Sequence, residues 1–120
     1  MDKIQALHSF WSGFGLTAYD ETSVPDNAQL PYITYQVSSD DFGNLVLLSA
    51  SLWYRSRSWA EITEKEQEIA SYITRGGRML KYESGALWVH MRSPWAQRLA
   101  DDSNYDLRRI VLNVAVEFLD

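Results

Sequence analysis

Cysteine is absent from the 120 residues, so no disulfide framework, zinc knuckle or thiol nucleophile can be built. A small secreted scaffold that depends on staples is thereby disfavoured, and an intracellular origin is expected. Long apolar runs are also missing, and no window approaches the ~18 apolar residues of a membrane span. The N-terminus shows no basic stretch followed by an apolar run. The expectation is a soluble, untargeted chain with no membrane partner. Positive charge is in deficit too. The net charge is −5 and the isoelectric point near 4.9, whereas attraction to a phosphate backbone needs clustered Lys and Arg. The basic pairs Arg55/Arg57, Arg75/Arg78 and Arg108/Arg109 are scattered and interrupted by carboxylates. Nucleic-acid binding as the main role is not expected.

Catalytic signatures are equally scarce. His8 and His90 are the two histidines, far apart and each beside apolar residues, the setting of a hydrogen-bonded structural imidazole more than of a ligand or base. Gly-x-Ser-x-Gly, Gly-x-x-x-x-Gly-Lys and Gly-x-Gly-x-x-Gly do not occur. Adjacent carboxylates stand at Asp20/Glu21, Asp40/Asp41 and Asp101/Asp102, but acid–base work needs two that face one cleft with their pKa values driven apart. Asp40/Asp41 could hold a divalent cation, although the Asp-x-Asp-x-Asp-Gly spacing of a calcium loop is missing. An enzyme would require a pocket assembled from distant residues, such as His90 with Asp101 or Glu83. No cofactor is expected.

What the chain does have is buriable surface. Apolar residues make up 46% and aromatic residues 13%, with five Trp and seven Tyr, enough for one core and too much for a disordered chain. One domain spanning residues 1–120 is expected. Residues 2–14 place Ile4, Leu7, Trp11 and Phe14 at helical steps, with Phe10 widening the stripe and Gly13 and Gly15 ending it. A short strand is expected near residues 17–20, after which Pro25, Asp26, Asn27 and Pro31 mark a loop. Residues 32–37 alternate as a strand. Residues 45–57 form a longer one, with Val46, Leu48, Ala50, Leu52 and Tyr54 on one face. The two make a hairpin whose polar connection exceeds the usual length and is suited to contact.

Ser58 and Glu61 have the spacing of a capping box, which predicts a helix over residues 59–74 with Trp59, Ile62, Ile69, Ala70 and Ile73 inward and Glu61 paired with Lys65. Gly76-Gly77 ends it. Two alternating runs around Ser84-Gly85 predict a second hairpin. Ser93-Pro94 predicts a short helical turn through Leu99, since proline fits the first helical position. Residues 106–119 alternate most strictly of all, and a terminal strand set inside the sheet is expected. The fold class that emerges is α+β, a mixed, mainly antiparallel sheet packed against two main helices. Two tryptophans stand apart. Trp53 lies opposite Leu52 and Tyr54 and beside Arg55, and Trp95 sits beside a turn; each suits either the core or an interaction surface.

Several local signatures, taken in order, resemble the tail-terminator or tail-to-head joining (tail-completion) proteins of phages with long non-contractile tails, especially those of Gram-positive bacteria. They are Phe10-Trp11-Ser12-Gly13-Phe14-Gly15, Leu30-Pro31-Tyr32-Ile33-Thr34-Tyr35, Trp59-Ala60-Glu61, Gly76-Gly77, Ser93-Pro94-Trp95-Ala96-Gln97-Arg98 and the closing Val116-Glu117-Phe118. None is catalytic. The resemblance implies a ring of copies, typically a hexamer, that caps the tail tube, stops its growth and docks on the head connector without turnover. It implies a place in the virion, at the junction of head and tail, after assembly in the host cytoplasm. The implied partners are the tail-tube protein and the head-connector or stopper protein, with DNA only passing through the lumen. On this reading Trp53, Arg55 and Arg57 are candidates for the subunit interface. Ser39, Asp40, Asp41, Phe42 and Asn44 are candidates for a loop that reaches a neighbour or the lumen, and Trp95 and Arg98 for a contact turn. The competing readings are a head-completion or stopper connector and a non-viral adaptor that binds through a sheet edge.

Overall fold

The computed structural model describes residues 2–38, 44–99 and 103–119. Helix α1 (Lys3–Ser12) starts where Asp2 accepts the Gln5 amide at 2.8 Å and Gln5 reciprocates on the Asp2 amide at 2.9 Å, a capping box that satisfies orphan donors of the first turn. Then come β1 (Thr17–Asp20), β2 (Tyr32–Tyr35), β3 (Leu45–Arg55), α2 (Ala60–Ile73), β4 (Arg78–Tyr82), β5 (Gly85–Leu99) and β6 (Leu107–Phe118). The strands form one six-stranded sheet in the order β1-β2-β3-β6-β5-β4. β1 and β2 run parallel and every other pairing is antiparallel, which gives the mixed, mainly antiparallel sheet expected of the sequence.

Register decides the two faces. β6 lies in the middle, with Leu112 opposite both Ala50 of β3 and Ala96 of β5. Period-2 alternation sends Ile110, Leu112, Val114, Val116 and Phe118 to one side, where all are buried. Leu48, Ala50, Leu52 and Tyr54 of β3 and Leu87 and Val89 of β5 join them, and the helices close the layer with Ala6, Leu7, Phe10 and Trp11 from α1 and Ile62, Ile69 and Ile73 from α2. Phe10 packs edge-on against Trp11 at 4.7 Å and Phe14 at 5.4 Å, and Phe14 against Tyr72 at 5.5 Å, the offset geometry that aromatic quadrupoles favour.

Four local expectations are corrected. Ile4 is 37% exposed; α1 turns Ala6 and Phe10 inward beside Leu7 and Trp11, so the buried stripe is rotated toward the neighbouring ridge. Ser58 does not cap α2 with Glu61. Its hydroxyl accepts the Ala60 amide two residues on, and the N-cap position falls on Trp59, whose side chain makes no cap bond. Lys65 does not pair with Glu61 but donates to the Phe14 carbonyl at 2.6 Å and to Glu68 at 3.0 Å. The Ser93-Pro94 segment is not a helical turn: it lies inside β5, through a cis Ser93–Pro94 peptide. Residues 92–95 sit opposite Asn113 alone, because the register jumps between Met91 and Ala96. A proline without an N–H is accommodated at such a bulge, and ladder pairing with β6 outweighs the local preference.

Candidate interaction surface

The helices occupy one side of the sheet and leave the other without a covering layer among the described residues. On that open side two apolar bands flank a polar one. The first band runs along paired positions from Tyr32 through Trp53 and Arg109 to Leu99, and Tyr19 of β1 meets Tyr32 edge-on at 5.5 Å. Tyr32 and Trp53 have ring centroids 6.5 Å apart, and the Arg109 guanidinium lies 4.5 Å from the Trp53 ring, within cation–π range. The second band holds Leu45, Leu47, Trp88 and Met79, with exposures of 53%, 55%, 39% and 45%. Trp88 is locked in place. Its indole donates to the Gly76 carbonyl at 2.9 Å, and Gly77, at φ +85°, leaves the space: a Cβ there would sit 2.2 Å from the indole nitrogen.

Between the bands lie Thr34, Ser51 and Asn113, all buried and all hydrogen-bonded. Trp53 donates to Thr34 at 2.9 Å and Arg109 to Ser51 at 3.1 Å. Ser49 donates to Asn113 at 2.9 Å, and Asn113 donates to the Pro94 carbonyl at 2.7 Å and to Gln97 at 3.2 Å. A buried polar group costs little only when satisfied, and this network fixes the aromatic band above it while tying β3 and β6 to the β5 bulge. It escaped the sequence reading. The signal was the run of Ser49, Ser51 and Asn113 at alternate positions of otherwise apolar strands.

A cleft of about 610 Å³ opens at the end of the first band, lined by Gln29, Leu30, Tyr32, Trp53, Arg55 and Leu107 among others. Arg55 bridges to Asp106 at 2.9 Å. The hydrogen bond from Arg55 holds the Asp106 carboxyl below its ordinary value. The interface candidates thus divide. Trp53 and Arg55 share one cleft, while the carbonyl of Arg57 accepts from Arg108 at 2.7 Å. The turn candidates Trp95 and Arg98 lie on the covered side: Trp95 donates to Glu66 at 3.1 Å, and Arg98 donates to Thr63 at 3.2 Å and stacks 4.8 Å from the Trp59 ring. Of the loop candidates Asn44 is described, its carbonyl accepting from Phe118 at 3.4 Å, and Ser39, Asp40, Asp41 and Phe42 lie outside the described residues.

His8 is held at 2.7 Å from the Tyr35 hydroxyl and 3.2 Å from that of Ser12, a structural imidazole that ties α1 to β2. Burial, then the charge of Asp20, raises the Tyr35 phenol above its ordinary value. His90 lies on the open side with its ring 6.2 Å from Trp88. Neither histidine joins a metal-holding group among the described residues.

No protein-family model matches the chain, and no curated protein matches it. Among solved structures it is similar to a chain described as "Virion of native gene transfer agent (GTA) particle", with 19% identity, 95% of this chain and 89% of that chain covered, and a TM-score of 0.63. At that identity the likeness establishes a shared fold, along nearly the full length of both chains.

Proposed function

We propose that this chain is a structural virion protein that works without turnover as a ring of copies, typically a hexamer, at the end of a phage tail tube. The ring ends tube polymerisation and presents the surface that joins the tail to the head. Its partners are further copies of itself, the tail-tube protein and a head-connector protein, and DNA passes through its lumen without specific contact. The observation that carries the reading is the fold shared over 95% of the chain with a component of a gene-transfer-agent virion, a phage-like particle. Two features of the molecule support it. The open sheet side leaves Leu45, Leu47, Met79 and Trp88 exposed together, and grouped exposed apolar side chains mark interaction surfaces. The net charge of −5 suits a channel wall along which DNA slides without sticking.

The test is the absolute mass of the purified chain by light scattering, alone and mixed with a tail-tube protein, with electron microscopy of the mixture. Rings, or tubes of limited length capped at one end, are expected. Tubes of unlimited length beside a chain that stays single contradict the capping role. Binding to a head-connector ring with no effect on tubes would transfer the chain to the head-completion class.

A further inference from the structure

The open sheet side and the exposed stripe of α2 lie on different sides of the molecule, because α2 packs Ile62, Ile69 and Ile73 onto the covered side of the sheet. They also differ in charge. On α2, Glu61, Glu64 and Glu68 lie three and four residues apart, along one exposed stripe. Lys65, the cation of that helix, is turned under to the Phe14 carbonyl and Glu68. The three carboxylates act on one place: after burial itself, they raise the Tyr54 phenol above its ordinary value. Among the described residues, register turns Arg55, Arg109 and Lys81 toward the open side together with Glu117, and Asp106 lies beside Arg55. Asp106 is already paired with Arg55, and Arg109 lies over Trp53.

We infer that the open side of the sheet is the docking site for a second copy of this chain, which presents the outer stripe of α2 so that the acids meet Arg55 and Arg109 and the apolar bands are covered. The inference rests on the ring reading above and names the two surfaces that close it. Three observations select a second copy as occupant. The charges are complementary between two surfaces of the same chain. The open face of a six-stranded sheet, in a molecule of 44 × 31 × 22 Å, has room for the ~800 Å² per partner that a specific interface buries. The two surfaces lie on different sides of the molecule, so no two-fold pair can satisfy both, and contacts run head to tail, the arrangement that generates a ring when the rotation from copy to copy closes. Trp53, Tyr32 and Arg55 around the 610 Å³ cleft are the residue types that anchor such contacts.

Reversing charge on each surface separately tests this. One variant carries Arg55→Glu and Arg109→Glu, and another Glu61→Lys, Glu64→Lys and Glu68→Lys. Leu47→Asp, at a position 55% exposed, provides a sheet-side variant free of any effect on the Arg109 stack. Sedimentation at matched concentration is expected to show self-association weakened by roughly tenfold or more in each. An equimolar mixture of the two charge-reversed chains should regain it, since each sheet then meets a helix of opposite sign. If all three variants assemble like the unaltered chain, this interface is wrong and the ring reading stands. If the unaltered chain stays single even on tube ends, the ring reading itself fails.

Discussion

The two sides of one sheet obey the same alternation and end in opposite conditions. On the covered side Leu52, Leu87, Val89, Leu112, Val116 and Phe118 lose all contact with water, and each contributes about 1.5–3 kcal/mol of transfer free energy. On the open side, Leu45 and Leu47 remain more than half exposed, and the buried centre is polar: Thr34, Ser51 and Asn113. The difference teaches that stability and association are divided between the sides. The covered side holds the fold together. The open side is kept flat and specific by hydrogen bonds, with its apolar area left over for something else to bury.

Truncating the last ten residues, 111–120, removes most of β6, which pairs with both β3 and β5, and is expected to abolish the cooperative unfolding transition seen by circular dichroism; a retained transition would mean that the sheet has another centre. Leu112→Ala, on the covered side, is expected to cost about 2–5 kcal/mol, read by chemical denaturation. Asn113→Ala is expected to cost about 1–3 kcal/mol, because Ser49 and the Pro94 carbonyl lose their partner. A value near zero would make the polar band ornamental. Leu47→Ser, by contrast, should change stability by no more than about 0.5 kcal/mol while weakening self-association in sedimentation; an effect as large as that of Leu112→Ala would erase the division between the sides.

The smallest effect is acid-dependent. Asp106 has a folded-state pKa depressed by the Arg55 hydrogen bond, so the pair's contribution is present above the ordinary carboxylate value and fades as pH falls through the depressed one. Asp106→Asn should therefore flatten a small part of the acid limb of thermal stability below about pH 4. Superimposable pH profiles of the two proteins would remove the pair from the account.

Much of the fold was legible because periodicity is a local signal. The alternation of residues 106–119 marked β6 as a buried strand, and the parity of Leu52 against Trp53 marked which side each would face. Illegible features depended on partners distant in sequence. Ser93-Pro94 reads locally as a helix start, yet Asn113 and the β6 ladder hold it as a bulged strand. Lys65 was within reach of Glu61 on a helix wheel, but the Phe14 carbonyl claims it. The parallel pairing of β1 with β2 has no marker in either strand. For the candidate surface, Trp53 and Arg55 were legible as an aromatic beside a cation on the minority side of a strand. The cleft they share with Tyr32 and Leu107 required the register of strands that the sequence does not encode locally.

The most direct measurement is hydroxyl-radical footprinting of the chain alone and after assembly, followed by mass spectrometry of the oxidised side chains. Oxidation of Leu45, Leu47, Met79 and Trp88 should fall several-fold on assembly, while Ile4 on α1, itself 37% exposed, keeps its reactivity. Equal oxidation of the open-side residues in both states would contradict the claim that this side of the sheet is what assembly buries.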